Sequence, residues 1–107
     1  MNTQIAIGAD TQIRRTEDLV ASDLEGETVM MSVRSGMYYG LDNIGSRVWQ
    51  LIEQPRSVAE LTDILLQEYA VERAQCERDV IALLNEMHGE GIVDVVHLDW
   101  LTQRAES

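Results

Sequence analysis

Residues 28–49, TVMMSVRSGMYYGLDNIGSRVW, change their hydrophobic period partway along. Up to Leu41 the apolar residues alternate with their neighbours, as in a strand, and beyond Asp42 they recur every three or four positions, as in a helix. A strand therefore hands over to a helix within two or three residues. The last strand is left short, with no obvious later strand for its outer edge, and that free edge is the expected functional surface.

Upstream, Leu19–Leu24 reads as a first strand, and Glu25-Gly26 as a tight turn in which glycine takes the positive φ. Residues 28–33 read as a second strand with Val29, Met31 and Val33 on one face and Thr28, Met30 and Ser32 on the other. One face packs and the other is at most half covered. After a turn at Ser35-Gly36, residues 37–41 form a third strand, with Met37, Tyr39 and Leu41 on one side and Tyr38 and Gly40 on the other. Two tight turns make an antiparallel meander. Residues 1–16, with Ile5 and Ile7 before Gly8, read as a mostly loose, flexible arm with room for one short strand.

Downstream, Asp42 or Asn43 caps a helix striped with Ile44, Val48, Leu51 and Ile52, Trp49 beside them, and Gln54-Pro55 ends it. Ser57-Val58-Ala59-Glu60 is a capping box that opens a second helix carrying Val58, Leu61, Ile64, Leu65 and Tyr69. A turn near Ala70 and Val71 leads to a third helix with Cys76, Val80, Leu83, Leu84 and Met87 at helical spacing, closed by Gly89 and Gly91. Trp49 and Leu83 are expected to be largely buried. Residues 92–96 suit a short closing strand, and the tail 97–107 a last docked turn through Leu98, Trp100 and Leu101. The fold class is α+β: a three-stranded antiparallel meander followed by three helices, a winged helix-turn-helix-like plan with the sheet first. The arm spans 1–16, the domain 17–96 and the tail 97–107.

With 107 residues and a hydrophobic fraction of 45%, the chain suffices for one domain with a modest core. Nineteen acidic residues against eight basic ones, all arginine, give a net charge of −11. Such a surface repels phosphate backbones, and the third helix, which a helix-turn-helix protein would lay on DNA, carries five acids against Arg73 and Arg78. A winged-helix transcriptional regulator is thus the weaker reading, and no nucleic-acid partner is expected. Catalysis has no better support, because neither His88 nor His97 lies beside a nucleophile in any recognisable motif. Cys76, the only cysteine, falls on an apolar stripe and reads as a small buried hydrophobe, so neither a disulfide, a metal site nor a cofactor is expected. No apolar span reaches membrane length, and the first twenty residues hold Asp10, Glu17 and Asp18, so a cytoplasmic protein without a signal peptide is expected. Peptide binding remains: a short edge strand with Tyr38 and Tyr39 offers backbone groups that an extended peptide completes by strand addition.

The run Gly36-Met37-Tyr38-Tyr39-Gly40-Leu41-Asp42, followed by Gly45, Val48-Trp49 and Leu51-Ile52, resembles the strand-to-helix signature of PqqD-like proteins. Ser57-Val58-Ala59-Glu60-Leu61 resembles that family's second-helix opening, and Asp79-Val80, Leu83-Leu84 and Gly91-Ile92-Val93 its third helix and exit. The resemblance covers roughly residues 17–96. It implies a winged-helix-like, non-catalytic recognition element that binds the leader segment of a ribosomally made precursor peptide for a separate processing enzyme. It further implies that the leader adds beside Met37, Tyr38, Tyr39, Gly40 and Leu41, against a groove wall drawn from Asp79, Ala82, Leu83 and Glu86. A discrete chain of this length resembles the stand-alone form of lasso-peptide pathways, which works with a leader peptidase. A radical-enzyme pathway such as quinone-cofactor biosynthesis is the alternative. Arm and tail fall outside the resemblance and leave homodimerisation or docking to the peptidase open.

Overall fold

The computed structural model describes residues 7–96, so Ile5 and the tail 97–107 lie outside the described residues. Nine elements follow in order: β1 (Gln12–Arg15), β2 (Leu19–Leu24), β3 (Glu27–Ser32), β4 (Tyr38–Leu41), α1 (Asn43–Leu51), β5 (Arg56–Ser57), α2 (Val58–Glu68), α3 (Arg73–Gly89) and β6 (Val93–Val96). They make an α+β fold with two small antiparallel sheets, ordered β2-β3-β4 and β5-β1-β6, and three helices.

The second sheet contains the one short strand for which the arm leaves room, placed as its central strand. Residues 12–15 pair with β6 on one side and β5 on the other, and Ile13 is completely buried. What holds this segment is backbone demand from α2. Ser57 and Glu60 close the capping box, while the first two helical N–H groups, of Val58 and Ala59, donate to the carbonyls of Thr11 and Ala9. The segment before β1 thereby takes up donors that a helix start would otherwise leave to water.

Helix α1 has no basic residue in its last turn, and its C-terminal carbonyls are met from the second sheet. Arg15 donates from Nε (3.0 Å) and Nη2 (2.7 Å) to the Trp49 carbonyl while its guanidinium stacks 4.4 Å over the Trp49 ring. Arg56 Nε donates to the Leu51 carbonyl. The N-terminal end of α1 is bound to the other sheet: the Ser46 hydroxyl accepts from Thr28 N–H (2.8 Å) and donates to the Leu41 carbonyl (3.1 Å). Asp42 is the helix cap, accepting from Gly45 N–H at 2.8 Å. A side chain at Gly45 would meet Asp42 Oδ1 at 3.2 Å and Leu41 Cβ at 3.3 Å, so glycine lets strand and helix approach closely here.

The core lies between α1, α2, α3 and the inner faces of both sheets, with Ile13, Val48, Ile52, Val58, Leu61, Leu84 and Ile92 fully buried. Trp49 is buried as expected. Leu83 is not: Cys76, Val80, Leu84 and Met87 form the buried stripe of α3, and Leu83 sits half-buried at its margin. In β3 the face carrying Thr28 and Met30 packs inward and Val29 is exposed. Thr28 tolerates burial because its N–H reaches Ser46 and its hydroxyl donates to Asp23. A Schellman motif ends α3, with Ile92 N–H donating to the Met87 carbonyl and Gly91 at φ +80°.

Candidate functional site

Strand β4 is an edge of its sheet, and its register determines which backbone groups remain free. Ser32 N–H donates to the Met37 carbonyl (2.9 Å), and Met30 stands opposite Tyr39 and Thr28 opposite Leu41. In an antiparallel pair the bonded residues alternate, so Met37, Tyr39 and Leu41 turn their backbone groups toward β3. Tyr38 and Gly40 turn theirs to the open edge. The Tyr38 side chain is 72% exposed on the outer sheet face, and no atom lies within 4 Å of where a Gly40 side chain would begin. Tyr39 points inward instead, and its phenol donates to the Glu90 carbonyl at the end of α3 (3.2 Å).

Past the C-terminal end of β4 lies a hollow of about 350 Å³. Asp42 and Ile44 of the strand-to-helix junction line it, together with Leu65, Tyr69 and Val71 around the α2–α3 turn and Cys76, Asp79, Val80 and Leu83 of α3. Ile44, Tyr69 and Val71 are apolar side chains left 38–49% exposed, an arrangement that suits an apolar guest. Asp42 and Asp79 give the rim negative charge. Burial, reinforced by the nearby Asp79 charge, raises the Cys76 pKa, which keeps the thiol protonated and leaves it a packing group.

Of the expected wall residues, Asp79 and Leu83 face this hollow, whereas Ala82 and Glu86 lie exposed on α3 outside its lining. Met37 and Tyr39 line a different hollow at the opposite end of β4. The rest of the lining, Asp42, Ile44, Leu65, Tyr69, Val71, Cys76 and Val80, was not among the expected site residues. The available signal was that Ile44 and Tyr69 stand at the ends of their helical stripes, where a neighbouring helix stops covering them. Among the described residues no cluster of His, Cys, Asp or Glu could hold a metal ion, and no helix is long and apolar enough to cross a membrane.

Fold and groove define a class: a small α+β domain whose sheet ends in a strand with one open edge beside a helix. The chain belongs to the PqqD family, the family of coenzyme PQQ synthesis protein D, whose model matches residues 27–93. It is 36% identical over 52 residues to the PqqA binding protein of Rhodopseudomonas palustris (strain HaA2), a match covering 49% of this chain and 51% of that relative, so the chain spans about half the length of the curated relative it matches. Two solved structures share the fold over more of its length. TbiB1 in complex with the TbiA(beta) leader peptide superposes with a TM-score of 0.72 at 30% identity, covering 76% of this chain and 94% of that one. Lasso peptide synthetase B1 complexed with the leader peptide gives 0.69 at 27% identity, covering 77% and 96%.

Proposed function

We propose that this protein is a non-catalytic recognition element that binds the leader segment of a ribosomally synthesised precursor peptide along the β4 edge and presents it to a separate processing enzyme. The observation that carries the reading is the outward backbone of Tyr38 and Gly40 beside an apolar hollow with an acidic rim. A peptide strand added there gains sequence-tolerant backbone hydrogen bonds, and selectivity comes from side chains seated against α3. Asp79 and Asp42 favour a basic residue next to an apolar anchor. Sheet β2-β3-β4 then serves as the wing of a winged-helix-like module, turned to peptide instead of DNA, in keeping with the net charge of −11.

The relatives support the same reading: one is named for binding PqqA, and two were solved with leader peptides. The broad coverage of the lasso peptide B1 chain favours a lasso-type pathway with a leader peptidase as the enzyme partner. Calorimetric titration of the precursor's leader peptide tests the function, with a one-to-one complex as the expected result. Absence of heat at micromolar concentrations, together with retardation of duplex DNA at low salt, would reverse it.

A further inference from the structure

Gly40 stands inside β4, and nothing within the chain calls for a glycine there. The glycines at positive φ are Gly26, Gly36 and Gly91, so the backbone at Gly40 is one that any residue adopts, and no atom lies within 4 Å of where its side chain would begin. Glycine is disfavoured in strands, and inside one it often marks a close approach from outside. What it supplies here is space on the outer sheet face. That face is apolar up to the open edge: Val20, Met31 and Tyr38 stand side by side across the three strands, and Ser22, Val29 and Gly40 form the next row. Val20, Val29 and Tyr38 are exposed, whereas the open face of a sheet ordinarily carries polar side chains. By the same alternation Glu27 is the one charged residue of the three strands on this face, in a chain of net charge −11. At Gly40 the face therefore has a notch, with Tyr38 as its wall along the strand, Val29 as its back on β3 and its mouth at the edge.

We propose that this notch takes an outward-facing aromatic side chain of the peptide bound along β4; the inference rests on the strand-addition reading above. A peptide strand added to the edge lies two strand spacings, about 10 Å, from β3, and only a large side chain laid over the glycine spans from it to Val29. An aromatic ring there gains burial and an offset or edge-to-face contact with Tyr38, whereas a charge would be desolvated against apolar neighbours. Tyr38 and Gly40 thus set specificity on the face opposite α3. Neighbouring residues of a strand alternate between faces, so the aromatic residue and the apolar anchor at the α3 hollow are an odd number of positions apart.

Labelled twelve-residue peptides, varied one position at a time and read by fluorescence anisotropy, are the probe. One position should prefer phenylalanine, tyrosine or tryptophan over alanine by about three- to tenfold, the effect of one aromatic contact with its burial. In Gly40→Val, which fills the notch with a residue that strands favour, that ratio should fall to about one, and Tyr38→Thr should lower it part-way. Gly40→Ala repeats the measurement with a single added carbon if the valine variant does not fold. The anchor at the hollow is identified as the position whose apolar preference Leu83→Ala weakens. The same aromatic ratio in parent and folded Gly40→Val, an even spacing from that anchor, or enrichment of Lys or Arg at the outward position would overturn the notch and leave strand addition standing. So would an equal loss for every peptide in Gly40→Val with an unchanged circular dichroism spectrum, which would assign the glycine to backbone approach alone. Failure of every peptide to bind the parent would overturn strand addition and the notch with it.

Discussion

In sheet β5-β1-β6 the central strand is hydrogen-bonded on both sides and Ile13 is completely buried; in sheet β2-β3-β4 the last strand ends in an unpaired edge, and Val20, Val29 and Tyr38 face solvent. The former spends its backbone groups on pairing β1 with β5 and β6, the segment just before β1 holds the start of α2, and its arginines cap α1. The latter keeps backbone groups free along one edge and is held chiefly at one end, by Ser46, and at the other by Tyr39. A protein can leave an edge open for a ligand only where the rest of its fold does not depend on that edge.

The comparison breaks first at Ile13. Ile13→Ala should destabilise the protein by about 2–5 kcal/mol through lost burial and a residual cavity, measured by urea unfolding. A midpoint equal to the parent's would mean that sheet β5-β1-β6 is not part of the cooperative unit. On the open side, Asp79→Ala should leave the fold intact and weaken leader binding by about 1.5–3 kcal/mol, roughly ten- to a hundredfold, if Asp79 receives a charged partner. A helix charge that stays solvated predicts no change. Gly40→Pro removes one outward N–H without taking a bond from β3, so a loss of about 0.5–1.5 kcal/mol in leader affinity with unchanged circular dichroism is expected. Loss of the folded spectrum would show that the edge supports the sheet after all.

The smallest effect concerns the helices behind the hollow. Arg47 makes a bidentate pair with Glu68, linking α1 to α2. The hydrogen bond from Arg47 lowers the Glu68 pKa. A carboxylate whose folded pKa is depressed contributes stability above its unfolded pKa and loses it as pH falls through the folded value. Glu68→Gln should thus cost at most about 1 kcal/mol at neutral pH and nothing once both forms are protonated, as read from thermal unfolding across the acid range. A cost that persisted at low pH would assign the contact to packing.

The edge strand was legible in the sequence because alternation up to Leu41 and the cap at Asp42 bracket it within a few residues. The groove wall was only half legible. Helical spacing marks Leu83 and Leu84 alike as apolar, and the packing of α2 and β6 against α3 leaves Leu84 buried and Leu83 at the hollow. Ile44 and Tyr69 escaped for the same reason, since a stripe in a sequence does not record where its cover ends.

Sequence by itself determined the features that close over a few residues: the Ser57–Glu60 capping box, the Glu25-Gly26 turn with its glycine at positive φ, the α3 terminus at Gly91 and the strand-to-helix handover. Each depends on local backbone bonds whose partners lie within about six positions. Only the tertiary structure decided that residues 12–15 form a central strand, that Thr28 rather than Val29 faces inward, and that Arg15 caps a helix end 34 positions further along the chain. A four-residue strand with one apolar side chain has no period to read. Its stability comes from partners more than forty residues away, β5 and β6, and from donors at the start of α2 that exist only once that helix has formed.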